Sequence, residues 1–150
     1  HDIMVRKIDV YDGATPSGNS IMAYNLLSLG ILFDQKSWKE RAYKMLEGIE
    51  TTLIRYPTSF GKWGNLFIDL SKGIGELAIL GSDALVSSKG IYADFLPNKV
   101  VIISEKSDDS VPLLMRRSAE EKTKFFVCRD FACLPPVGEA KEAIKLLLTI

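Results

Sequence analysis

Apolar and polar residues change rhythm twice along this chain. Ile3, Val5, Ile8 and Val10 alternate with Arg6, Lys7 and Asp9, with one slip, and so read as a strand over residues 3–10. Over residues 21–33 only Asn25, Ser28 and Gly30 interrupt an apolar run. That spacing predicts a helix buried on nearly every side. Over residues 38–54 the pattern is one-sided. Trp38, Ala42, Met45, Leu46, Ile49 and Leu53 share a helical face, and Lys39, Glu40, Arg41, Lys44, Glu47 and Glu50 share the other. The short turn 34–37 makes these two helices antiparallel neighbours. Tyr56–Pro57 ends the second. Phe60, Trp63, Leu66, Phe67 and Leu70 mark a third, closing near Lys72. An inner helix, an outer helix and a tight turn form the repeat of a two-layered helical barrel. One such pair cannot bury its inner helix alone.

After Gly75 the rhythm shortens. Residues 77–80 form a brief apolar run closed by Gly81, and Ser82–Asp83 reads as a helix cap. Leu85, Tyr92, Phe95 and Leu96 supply a helical stripe until Pro97. The β-branched run 100–103 is strand of the buried kind. This strand–helix–strand order predicts a parallel pair with a right-handed crossover. Residues 104–110 read as polar loop, 112–122 as one helical turn or more, and 125–128 as a third strand. A last helix spans 139–148, with Ala143, Ile144, Leu147 and Leu148 inward. The fold class expected is therefore mixed α+β. Residues 1–72 are barrel-type helices, and residues 73–150 are a small α/β unit with a mainly parallel sheet.

Composition narrows the function. At 150 residues and 47% apolar content, the chain has room for one real core or two small abutting units. Nineteen basic and nineteen acidic residues leave no net field directed at nucleic acid or a membrane surface. The densest basic pair, Arg116–Arg117, is followed by Glu120–Glu121 and reads as a solvated turn. The longest apolar run, 26–33, is too short to span a bilayer, and no signal peptide is evident. Two cysteines do not make a disulfide scaffold, so the expected compartment is the cytoplasm. The chain opens on His1 rather than Met and reads as a piece of a longer protein.

Chemistry concentrates in residues 11–20, a loop of turn-forming and hydroxyl residues just before the apolar helix. Ser17, Asn19 or Ser20 can cap that helix. Asp12 is the best candidate for proton transfer or for binding substrate hydroxyls. Its alternative role is to accept backbone amides of its own turn between Ala14 and Ser17, and that role is the expected one. His1 is the lone histidine, so a complete proton-transfer site that uses histidine is not expected here. Cys128 and Cys133 are four residues apart rather than two, which argues against a thioredoxin-type redox pair. Zinc would need further nitrogen or sulfur ligands. Free thiols are expected, with no metal and no cofactor. Gly73, Gly75 and Gly81 do not meet the dinucleotide fingerprint, because the first two precede the strand.

Two stretches carry a family resemblance. Val5, Arg6 and Lys7 leading into YDGATPSGNS at 11–20, and FVCRDFACLPPV at 126–137, resemble the C-terminal part of one large family. It contains bacterial thioredoxin-domain proteins and spermatogenesis-associated protein 20. The resemblance implies an N-terminal thioredoxin-like domain and an (α/α)6 barrel similar to that of N-acylglucosamine 2-epimerase. Residues up to about Lys72 would be the last barrel helices, and the remainder an α/β tail. The first functional reading is an enzyme-type scaffold whose pocket takes a carbohydrate-like or other polar small molecule, with Asp12 the candidate catalytic residue and Ser17, Asn19 and Arg129 the candidate ligand-binding residues. The alternative is a non-catalytic binding or chaperone-like module attached to the thioredoxin-like domain. The partners implied are the rest of the barrel and that domain, with self-association through the apolar helix if they are missing. No nucleic acid or membrane partner is expected.

Overall fold

Helical periodicity gives way to β-branched runs near residue 73, and the backbone changes with it. The computed structural model describes residues 8–119 and 122–150. It divides into two compact units. One holds residues up to Ile31 together with Gln35–Ser71, and the other holds Leu32–Asp34 together with Lys72–Ile150.

The first unit is helical. Helix α1 (Gly18–Leu32) buries Ser20, Ala23, Leu27, Gly30 and Ile31, a single stripe at three- and four-residue spacing. Ile21, Met22 and Leu29 remain 39, 53 and 42% exposed, so the expectation of burial on nearly every side is corrected. An all-apolar helix needs neighbours around its circumference, and this chain supplies them on one side. Gly30 is where α2 begins to pack. A Cβ there would lie 2.8 Å from Lys39 Cγ and 3.1 Å from the Lys39 backbone nitrogen.

The helix expected over 38–54 is two. Helix α2 (Lys36–Glu47) stops at Gly48, Ile49 takes φ −122° and ψ −1°, and α3 (Glu50–Arg55) resumes. Glycine is the weakest ordinary helix former, so the break falls there. Ala42, Leu46 and Leu53 keep their inward positions, but Trp38 is 39% exposed. A 3-10 turn (Pro57–Ser59) leads to α4 (Gly61–Lys72), which buries Trp63, Leu66 and Asp69. The strand expected over 3–10 lies largely outside the described residues, and residues 8–10 form no strand.

The second unit is built on β1 (Gly75–Leu80), buried along its whole length. The short helices α5 (Ala84–Ser87) and α6 (Lys89–Tyr92) lead to β2 (Lys99–Ser104), which pairs with β1 in parallel from Gly75↔Lys99 to Leu80↔Ser104. β3 (Lys124–Arg129) then pairs with β1 antiparallel, and β4 (Ala132–Cys133) pairs with β3 antiparallel. The order is β2-β1-β3-β4, so the sheet is mixed and not mainly parallel. The cause is the connection after β2. Ser104 ends beside Leu80, and Lys124 starts beside Leu80 from the other side. No crossover returns the chain to the opposite end, so β3 must run backwards.

Each sheet face has its own core. Leu77, Ile79, Phe125 and Val127 pack with Ala84, Ile91, Leu96 and Ala143 of the helical side, where α7 (Ala140–Leu147) closes the chain. Ala78 and Leu80 pack with Leu114 of the loop on the other face. Burying one large aliphatic side chain in such a core contributes about 2 kcal/mol. Of the stripe expected at Leu85, Tyr92, Phe95 and Leu96, Leu96 is buried, but the other three are 72, 60 and 92% exposed. Two short helices replace one long one, so Ala84 and Ile91 point inward instead. Leu148 likewise falls beyond the end of α7 and is exposed. Residues 112–116 are turn rather than helix. Gly81 takes φ +143°, and a Cβ there would stand 2.7 Å from Thr123 Cα, so only glycine suits the site. Among the described residues no helix is long and apolar enough to cross a membrane.

Candidate functional site

The loop before α1 is held by one side chain. Asp12 is 6% exposed, and its two carboxylate oxygens take separate sets of donors. Oδ1 accepts the Ser17 amide at 2.8 Å and the Ser20 hydroxyl at 2.6 Å. Oδ2 accepts the amides of Lys62 at 2.9 Å and Trp63 at 3.3 Å. The first turn of a helix leaves amides without intrahelical partners, and negative charge is favoured there. Asp12 thus anchors the start of α1 and caps the start of α4. The bond from Ser17 is the turn bond expected from the sequence, whereas those from α4 come from fifty residues away.

The neighbouring candidates serve the same loop. Ser17 Oγ accepts the Ser20 amide at 3.1 Å and is the N-cap of α1. Asn19 Nδ2 donates to the Asp9 carbonyl at 2.6 Å, and Trp63 Nε1 donates to the Val10 carbonyl at 2.8 Å. Burial disfavours the Asp12 anion, but bonds from Ser20, Ser17, Trp63 and Lys62 outweigh it. Its pKa lies below the ordinary carboxylate value.

A second polar cluster joins α1 to α4. Lys62 Nζ stands 3.3 Å from the centre of the Tyr24 ring, a cation–π contact. Asp69, 5% exposed, accepts a hydrogen bond from Tyr24. Burial raises the Asp69 pKa against that bond and the Lys62 charge. Burial lowers the Lys62 pKa against the charges of Asp69 and Asp12. Sequence periodicity hid this cluster because each member is a single polar residue on an otherwise apolar stripe. Elsewhere in this unit a cavity of about 160 Å³ is lined by Tyr43, Leu46, Glu47, Glu50, Phe67, Leu70 and Ser71. None of Asp12, Ser17 and Asn19 lines it.

In the second unit, β3 and β4 are joined by a two-residue turn, Asp130–Phe131, with φ +48° and +60°. Positive φ at both positions gives the tight hairpin twist. The turn sets Cys128 opposite Cys133, and the two form a disulfide with Cα atoms 4.0 Å apart. The expectation of free thiols is therefore corrected. Four intervening residues separate the cysteines in sequence, but a hairpin turn makes them direct cross-strand neighbours. Cys128 is buried and Cys133 is exposed. Glu76, 2% exposed, faces Cys128 across the β1–β3 pair and accepts the Phe131 amide at 3.1 Å.

Arg117 corrects the reading of a solvated turn. Its Nη2 lies 3.3 Å from Cys128 Sγ and 3.1 Å from Cys133 Sγ, and its guanidinium carbon lies 4.8 Å from the Phe126 ring centre. Burial lowers its pKa, opposed by the Glu76 charge. Its buried Nη1 has no hydrogen-bond partner among the described residues. Arg129, expected to bind ligand, donates instead to the Ile150 carbonyl and packs under Gly73. Among the described residues no group of three or more His, Cys, Asp or Glu could hold a metal ion.

Spermatogenesis-associated protein 20 of Rattus norvegicus is 26% identical over 97% of this chain and 20% of its own length. The Homo sapiens protein of that name is 27% identical over 95% of this chain and 20% of its own length. The Mus musculus protein is 26% identical over 97% of this chain and 20% of its own length. The similarity supports that family. This chain spans about a fifth of the length of these curated relatives. No family model matches the chain, and no solved structure matches it. The family resemblance read from the two motifs thus rests on similarity along nearly the whole chain.

Proposed function

We propose that this chain is a non-catalytic scaffold and binding portion of a larger protein of the spermatogenesis-associated protein 20 type. On this reading α1 to α4 are the last helices of an (α/α)6 barrel, and a thioredoxin-like domain lies elsewhere in the same protein. The observation that carries the reading is the Asp12 carboxylate. A general base or a sugar-hydroxyl ligand needs an oxygen lone pair directed at the substrate. Here both oxygens are engaged by four donors of the chain's own fold. The exposed apolar residues Ile21, Met22 and Leu29 support a covering partner, and the remaining barrel helices of the same protein are the occupant proposed.

One observation favours a second reading, in which the scaffold takes a carbohydrate-like ligand. The 160 Å³ cavity combines Tyr43 and Phe67 with Glu47 and Glu50. Aromatic faces and carboxylates are the groups that recognise sugar rings and hydroxyls. The test is thermal stabilisation of the full-length protein by a monosaccharide panel that includes N-acetylglucosamine. No stabilisation by any sugar is expected from the scaffold reading. Sugar-dependent stabilisation lost in Tyr43→Ala favours the second reading, and stabilisation lost in Asp12→Asn with the fold intact overturns the first.

A further inference from the structure

The disulfide hairpin differs from an ordinary structural cross-link in three ways. One sulfur belongs to an exposed residue and the other to a buried one. A guanidinium contacts both sulfurs, although a disulfide carries no charge to attract it. The exposed cysteine also opens onto a groove of about 450 Å³ whose lining includes Met115, Arg117, Phe126, Phe131 and Leu134.

We propose that Cys128–Cys133 is an exchangeable redox centre that takes two electrons from an external dithiol. Cys133 Sγ is the atom attacked, Cys128 is the leaving thiolate, and Arg117 carries the developing negative charge. Access decides the direction of attack. A nucleophile reaches a disulfide sulfur from the side away from its partner, and Cys133 is the cysteine facing the groove. The departing charge then falls on Cys128, which is only 1% exposed. A thiolate buried without a counter-ion is a poor leaving group, because desolvation raises its pKa. Arg117 Nη2, 3.3 Å away, removes that obstacle.

The electrons and protons balance in two steps. A thiolate of the dithiol attacks Cys133 Sγ, an external S–S bond forms, and the pair of the old S–S bond leaves on Cys128. The second thiol of the reagent loses its proton and attacks the external sulfur of the mixed disulfide. That bond breaks, and its electron pair leaves on Cys133. The dithiol is oxidised to a disulfide and the hairpin is reduced. The two protons released by the dithiol match those taken up as the two cysteines become thiols.

Charged groups approach the sulfurs from the neighbouring strands and loops. Glu76 on β1 opposes a thiolate at Cys128, its cross-strand partner. Arg117, over the Phe126 ring, offsets that charge. Arg129 is engaged by the Ile150 carbonyl, and Arg116 and Asp130 are exposed. Arg117 is therefore the group that decides whether the thiolate is stabilised.

The experiment reads reduction of the unreduced chain by dithiothreitol, quenched with acid and counted by alkylation and mass measurement. Arg117→Gln is expected to slow reduction by about tenfold, with Arg117→Lys recovering part of the rate, as a thiolate-stabilising charge requires. Equal rates in all three proteins overturn the proposal. A second measurement needs no variant. Brief exposure to the monothiol cysteamine, followed by acid quench and peptide mapping, locates the mixed disulfide. The adduct on Cys133 is expected, and the adduct on Cys128 overturns the assignment of the attacked sulfur.

Discussion

The Asp12 loop and the Cys128–Cys133 hairpin place buried polar groups beside backbone turns, and they use them in opposite ways. At Asp12 each carboxylate oxygen has two donors, so nothing is left for a ligand. At the hairpin, Arg117 has a donor nitrogen with no hydrogen-bond partner among the described residues, and Cys133 is exposed to a groove. A saturated polar group holds a fold together, whereas one with valence to spare is where external chemistry can act. The contrast also assigns the roles: stability in the first unit, reactivity in the second.

The largest effect that could break this contrast is at the aspartate. Asp12→Ala leaves three amides and a hydroxyl without their acceptor and is expected to cost about 3 kcal/mol, read by chemical denaturation. A loss below about 1 kcal/mol would mean that the bonds are replaceable by water. The same carboxylate sets an acid limit. Its folded pKa is depressed below the ordinary 3.8, so its contribution is full above that value. The contribution is lost as pH falls from 3.8 through the folded pKa. Asp12→Asn is expected to remove this part of the acid dependence, measured as denaturation midpoint against pH.

The next effect falls on the turn after β1. Gly81→Ala forces a side chain into a backbone at φ +143° and against Thr123, and is expected to cost about 2 kcal/mol. It tests whether the second unit depends on backbone geometry where the first depends on a carboxylate. The smallest effect is on the hairpin itself. Cys133→Ala opens a short loop whose ends the turn already holds together, and is expected to lower stability by about 1 kcal/mol. Reactivity without much stability is what separates this site from Asp12.

Part of this was legible in the residues. The parallel pairing of β1 with β2 follows from two apolar runs separated by helix-forming sequence, and the cap at Ser17 follows from the hydroxyls before an apolar run. The other half of the Asp12 clasp was not, because its donors are backbone amides of α4, which have no sequence signature. The disulfide escaped for a related reason. A tight hairpin is usually announced by glycine or asparagine, and here Asp130–Phe131 takes the positive-φ positions instead. Glu76 escaped as well, since a lone charge before Leu77 reads as the edge of a strand rather than as a buried acceptor for that turn.

The most direct test is to map the unreduced protein after tryptic digestion under conditions that block thiol exchange. Cleavage after Lys124, Arg129 and Lys141 separates residues 125–129 from residues 130–141, each with one cysteine. If the hairpin holds Cys128 against Cys133, the two peptides emerge joined and part only on reduction. Two separate peptides, each alkylated without any reductant, would contradict the disulfide and the division of roles built on it.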